Sequence, residues 1–140
     1  MNDFPITFYH NPGCGTSRNA LAMVHAAGYE PVVVEYLEVG WSRPLLERLL
    51  AAIGARARDI MREKGTPAAE LGLLGDNVED EHILAAMIEH PILVNRPIVE
   101  TPRGTKLCRP SEVVLSLLER QPESFTKEDG EVVKVGSSRS

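Results

Sequence analysis

Cys14 is the residue from which chemistry is most directly legible. It follows Asn11-Pro12-Gly13, which breaks the short strand-like run Ile6-Thr7-Phe8-Tyr9, and it precedes a helical pattern with Leu21, Val24 and Ala27 on one side. A cysteine at such a junction faces backbone N–H groups that the first helical turn leaves unpaired, here those of Gly15, Thr16 and Ser17. These donors favour the thiolate, which is the nucleophilic form of sulfur. The Ser17 hydroxyl is placed to donate a further hydrogen bond, and His10 at the strand end to add positive charge or relay a proton. Burial as a small hydrophobe is the commoner fate of a free cysteine. The polar, glycine-rich setting of Cys14 argues against it.

Spacing narrows the chemistry. Cys14-Gly15-Thr16-Ser17 is C-x-x-S and lacks the second sulfur of a dithiol oxidoreductase, so reducing electrons must come from outside. A phosphatase-like C-x5-R loop is excluded, because Ala20 stands where its arginine would be and the nearby arginine is Arg18. Cys108 lies in an apolar strand, where packing is a better account than a resolving thiol. Arg62, Arg96 and Arg109 each stand beside apolar sequence. A guanidinium is costly there unless it meets an anion or a carboxylate, and its planar fork suits a tetrahedral oxyanion. Singly, each arginine reads as a surface or salt-bridged residue, and only their convergence makes a site. The histidines His10, His25, His82 and His90 and the two cysteines form no C-x-x-C or H-x-x-x-H spacing, so neither a metal nor a bound cofactor is expected.

The elements that must position these groups follow from the apolar periods. Val32-Val33-Val34 gives a second strand after the first helix, so the opening half reads as a βαβ unit with parallel strands. Ser42 and Pro44 start a helix carrying Leu45, Leu46, Leu49, Leu50 and Ile53, which Gly54 caps. Thr66-Pro67 is another start signal, and Leu84, Met87 and Ile88 make a helical stripe that Pro91 ends. Ile92-Leu93-Val94 and Pro97-Ile98-Val99 read as strand segments, and Thr101-Pro102-Arg103-Gly104 turns the chain into Thr105-Lys106-Leu107-Cys108 as a β-hairpin. Arg109-Pro110-Ser111 opens a last helix with Val113, Val114, Leu117 and Leu118. The order is β-α-β, a helical insertion over about residues 42–90, then β-β-α, in one α/β domain of residues 1–120. Residues 121–140 read as a polar tail, disordered in part, with Gly136 to Ser140 the clearest case.

Composition sets the outer limits. The 140 residues are 43% hydrophobic, enough for one core, and 15 basic against 20 acidic residues give a net charge of −5. That balance provides no global field for nucleic acid or an anionic membrane, so an anion site has to be local. Two cysteines do not make the disulfide framework of a small secreted domain, Met1 to Tyr9 has no signal-peptide pattern, and no apolar run approaches about 18 residues. A soluble, monomeric cytoplasmic protein is expected.

Two stretches, His10-Asn11-Pro12-Gly13-Cys14-Gly15-Thr16-Ser17-Arg18-Asn19 and His90-Pro91-Ile92-Leu93-Val94-Asn95-Arg96-Pro97-Ile98-Val99, resemble those of the glutaredoxin-coupled arsenate reductases. Gly104-Thr105-Lys106-Leu107-Cys108-Arg109-Pro110-Ser111-Glu112 is similar too, and the likeness runs from about Ile6 to Gly130. The resemblance implies a thioredoxin-like fold with a helical insertion. It makes Cys14 the nucleophile, His10 the histidine linked to its activation, and Arg62, Arg96 and Arg109 the oxyanion-binding arginines. It also makes Arg96-Pro97 a candidate cis peptide. The implied reaction is reduction of arsenate to arsenite, with glutathione as co-substrate and glutaredoxin as partner. Two other readings keep the fold. A general glutathione-dependent thiol reductase has no need of three converging arginines, and a redox-sensing regulator that binds RNA polymerase is expected to carry a C-x-x-C switch where this chain has Ser17.

Overall fold

The computed structural model describes residues 4–122 and 124–134, which fall into two compact units, 1–35 with 96–140 and 36–95. In the first unit, β1 (Thr7–His10) pairs in parallel with β2 (Val32–Glu35) and antiparallel with β3 (Ile98–Thr101), which pairs antiparallel with β4 (Gly104–Leu107). The strand order is β2-β1-β3-β4, so β1 is central, and Tyr9 sits opposite both Val34 and Ile98. A parallel β1–β2 pair needs a crossover, which α1 (Gly15–Ala26) supplies. Gly28, at φ 94°, turns the chain out of α1 in the left-handed conformation that glycine adopts without strain.

The core of this unit is built from Phe8 on β1, Ala20, Met23 and Val24 on α1, Val99 on β3, and Cys108, Val114 and Leu117 beyond β4. The last helix expected from the sequence is a 3-10 segment, Ser111–Leu117. It buries Val114, Leu117 and Leu118 as the apolar stripe requires, but Val113 N–H donates to Pro110 O and Leu118 N–H to Leu115 O, three residues back. Over seven residues a period of 3.0 and one of 3.6 bury nearly the same side chains, so the stripe cannot separate them.

The polar tail is structured where it is described. Strands β5 (Ser124–Thr126) and β6 (Val132–Lys134) form an antiparallel hairpin. Phe125 and Val133 pack against the core, Gly130 turns at φ 95°, and the Lys127 ammonium lies 2.7 Å from Glu112. Two apolar side chains and two ion pairs, Lys127–Glu112 and Arg18–Glu128, dock this segment, too weak a signal for a composition argument. Gly136 to Ser140 lie outside the described residues.

The second unit contains the expected insertion. It consists of α2 (Tyr36–Val39), α3 (Arg43–Ile53) and α4 (Asp80–Glu89), with short 3-10 turns at Ala57–Ile60 and Pro91–Leu93. Ser42 caps α3 by accepting from Leu45 N–H at 3.3 Å, and Gly54 ends it at φ 80°. Leu46, Leu49, Ile83 and Met87 are fully buried. The helix start read at Thr66-Pro67 yields only turns. Ile92-Leu93-Val94 is not a strand either: Leu93 N–H donates to His90 O and Val94 N–H to Pro91 O, so the turn that Pro91 opens uses these residues and leaves one bridge, Met61 to Val94. No described helix is long and apolar enough to cross a membrane.

Candidate active site

Cys14 terminates the turn that follows β1. Its N–H donates to Asn11 O at 3.0 Å, and Asn11 Oδ1 accepts from Gly13 N–H at 2.9 Å, so the Asn-Pro-Gly segment is an Asx-type turn closed on itself. The Cys14 backbone is extended (φ −109°, ψ 123°), and its carbonyl takes the first helical bond, from Arg18 N–H at 2.9 Å. The residue is thus the N-cap of α1, and its sulfur meets the positive end of the helix.

The residue is only 8% exposed, more buried than its polar, glycine-rich setting suggests. Polar groups crowd the turn while leaving little of it open. Burial by itself raises the Cys14 pKa, but the Ser17 N–H, the Arg96 and Arg109 side chains and the Arg96 charge together outweigh burial and lower it from 9.0 to about 7. Near neutral pH a large fraction of this sulfur is therefore anionic, although it closes no formal capping hydrogen bond. Arg109 Nη1 lies 3.7 Å from Cys14 Sγ, and the same nitrogen donates to Arg96 O at 2.8 Å. Two guanidinium groups thus act on one thiol from the segment after Asn95 and the exit of β4. The Arg96-Pro97 and Arg109-Pro110 peptide bonds are both cis.

His10 and Ser17 behave differently from the sequence expectation. The fully buried Ser17 hydroxyl lies 2.7 Å from His10 Nδ1 and accepts from Asn11 N–H at 3.1 Å, so it braces the strand end, and it is the Ser17 backbone N–H that acts on the sulfur. The imidazole is 6% exposed. Burial lowers its pKa most, Glu35 opposes that, and Arg18 lowers it further. The neutral ring is therefore favoured at pH 7, and its Nδ1 faces the Ser17 hydroxyl.

Arg62 belongs to the second unit. Its Nε donates to Lys64 O at 3.2 Å, its Nη1 approaches Asn95 Oδ1 at 3.4 Å, and its backbone N–H donates to Leu93 O at 2.8 Å. Cys108 is fully buried in the core, where burial pushes its thiol up to about 12. Such a thiol is a poor nucleophile, in keeping with a packing role. Among the described residues no group of three or more His, Cys, Asp or Glu side chains is placed to hold a metal ion.

Two contributors to the site escaped the sequence reading. Asn11 registers in the sequence only as a strand breaker, although Asn before Pro-Gly is itself an Asx-turn signal. Arg18 donates to Pro12 O at 2.8 Å and pairs with Glu128, 110 positions away, a partnership with no local signature.

Residues 9–117 match the model of the ArsC family. An arsenate reductase of Rhizobium meliloti is 59% identical over 129 residues, spanning 91% of this chain and 92% of its own. Arsenate reductase ArsI1 of Synechocystis is 55% identical over 134 residues, spanning 95% and 93%. Among solved structures, an arsenate reductase from Vibrio cholerae superposes with a TM-score of 0.78 at 39% identity, covering 84% of this chain and all of that one. The mixed α/β fold is thioredoxin-like.

Proposed function

The chain belongs to the ArsC family, and from that premise we propose that it is an arsenate reductase whose nucleophile is Cys14. The observation that carries the assignment of Cys14 is the placing of Arg109 and Arg96 on a thiol whose pKa is lowered to about 7. An anionic sulfur must approach an anionic substrate, and guanidinium groups beside it offset that repulsion most in the transition state, where charge is concentrated on the arsenic oxygens.

Arsenate enters against Arg96 and Arg109, with Arg62 as the third candidate ligand. The Cys14 thiolate attacks arsenic, and one oxygen leaves as water after taking up protons, which gives a sulfur-bound arsenic(V) adduct. Reduction to arsenic(III) needs two electrons. Cys14 has no C-x-x-C partner, and Cys108 is held as a buried thiol, so two external thiols supply them. Glutathione adds to the adduct as a second arsenic oxygen leaves as water; the glutaredoxin thiolate then attacks the glutathione sulfur, the two join in a mixed disulfide, and the electron pair of the broken sulfur–arsenic bond stays on arsenic as arsenic(III). Hydrolysis of the remaining sulfur–arsenic bond then releases arsenite and regenerates Cys14.

The test is arsenite production with arsenate, glutathione and glutaredoxin, by wild type and by Cys14→Ser. Wild type is expected to turn over and the variant to be inactive. Substantial turnover by the variant would remove Cys14 from the mechanism. Turnover that proceeds unchanged without glutaredoxin would refute the electron route alone.

A further inference from the structure

The β5–β6 hairpin reaches the turn that carries Cys14 through one side-chain pair. Arg18 Nε lies 2.7 Å from Glu128 Oε2 and Nη2 2.9 Å from Oε1, a fork-to-fork contact, while Arg18 Nη1 donates to Pro12 O at 2.8 Å. The backbone N–H of Glu128 donates to Asn19 Oδ1 on α1 at 3.0 Å. A methyl group placed on Gly15 would stand 3.7 Å from Arg18 Nη2 and 3.8 Å from Glu128 Oε1, so the pair lies against the first residue of α1. One guanidinium therefore joins the hairpin, the helix start and the carbonyl two residues before the nucleophile.

We propose that Glu128 is a positioning residue for Cys14, which fixes the Arg18 guanidinium over Gly15 and thereby holds its third arm on the Pro12 carbonyl. Arg18 is half-exposed, and a long side chain in water distributes itself over many rotamers. A bidentate carboxylate selects the one rotamer in which Nη1 meets Pro12 O, and the Asn11–Cys14 turn then has an anchor at each end: its own Asn11 bonds and the Arg18 donor. An ion pair this exposed adds little to global stability, so its effect falls on the geometry of the turn. The inference rests on Cys14 being the nucleophile of the proposed reaction.

The experiment uses the full chain with Glu128→Gln and with the exchanged pair Arg18→Glu/Glu128→Arg. Misplacement of a reacting group lowers turnover rather than affinity, so Glu128→Gln is expected to lose about tenfold in kcat with KM for arsenate changed by less than about twofold. Hydrogen exchange at the Cys14 amide, which is bonded to Asn11 O, should quicken about tenfold while the thermal midpoint stays in place. The exchanged pair re-forms the ion pair but offers Pro12 O no donor from position 18, and it should remain as slow as Glu128→Gln. Recovery of kcat by the exchanged pair, or unaltered exchange at Cys14 in Glu128→Gln, overturns the proposal. The exchange measurement needs no arsenate turnover, so failure of the reductase reading and failure of this inference remain distinguishable.

Discussion

Arg109 Nη1 bridges Cys14 Sγ at 3.7 Å and Arg96 O at 2.8 Å. The carbonyl contact fixes the guanidinium in place before any substrate arrives, so its charge is available to the thiolate and to an incoming anion without reorganisation. Arg109→Gln keeps a polar side chain but removes the charge. The midpoint of Cys14 alkylation by iodoacetamide against pH is expected near 7 in the wild type and roughly one pH unit higher in the variant, towards the ordinary thiol value. A midpoint unmoved by the substitution would show that Arg109 does not stabilise the thiolate.

The same thiol links folding to pH. Its folded-state pKa of about 7 lies below the unfolded value of 9.0, so between these values the unfolded chain binds more protons than the native one. This contribution to stability is fully present above pH 9, declines as pH falls, and is lost below pH 7. In urea titrations the wild type should gain on the order of 2 kcal/mol relative to Cys14→Ser between pH 7 and pH 9. Taking the difference between the two proteins cancels other groups that titrate in the same range. Equal pH slopes would mean that the thiol is not depressed in the native state.

Much of this arrangement was legible in the sequence because it is local. The strand-to-helix junction at Cys14, the Ser42 and Gly54 caps of α3, and the hairpin turn at Thr101–Gly104 all follow from residues within a few positions of one another. What escaped depends on distance along the chain or on competition between local bonds. Ser17 shows the competition: its hydroxyl could reach either sulfur or imidazole by spacing, and only the fold brings His10 Nδ1 within 2.7 Å. Glu128 shows the distance, since nothing near it indicates an arginine on α1 as its partner. Ile92-Leu93-Val94 has strand composition, but Pro91 opens a turn whose hydrogen bonds take these residues out of the sheet.

Replacement of Arg62 tests its proposed part in substrate binding apart from thiol activation. Arg96 and Arg109 both lower the Cys14 pKa, and Arg62 is not among the groups that do so. Arg62→Gln is therefore expected to raise the KM for arsenate about tenfold, the cost of one lost charge-assisted hydrogen bond to an oxyanion, while the alkylation profile of Cys14 keeps its midpoint near 7. Steady-state kinetics and alkylation of one preparation measure both. An unchanged KM would withdraw Arg62 from the oxyanion site.

Ser17→Ala distinguishes the two donors that residue 17 offers. The substitution removes the hydroxyl and keeps the backbone N–H that acts on the sulfur. It also deprives His10 Nδ1 and Asn11 N–H of their shared partner at a fully buried position, and a buried polar group left unsatisfied costs about 1–3 kcal/mol. The variant should therefore unfold at lower denaturant concentration, yet its alkylation midpoint should stay close to 7, because the groups that lower the thiol pKa are the N–H and the two arginines. A rise in the midpoint as large as that expected for Arg109→Gln would instead make the hydroxyl a donor to the thiolate, and His10 a group that acts on sulfur through it.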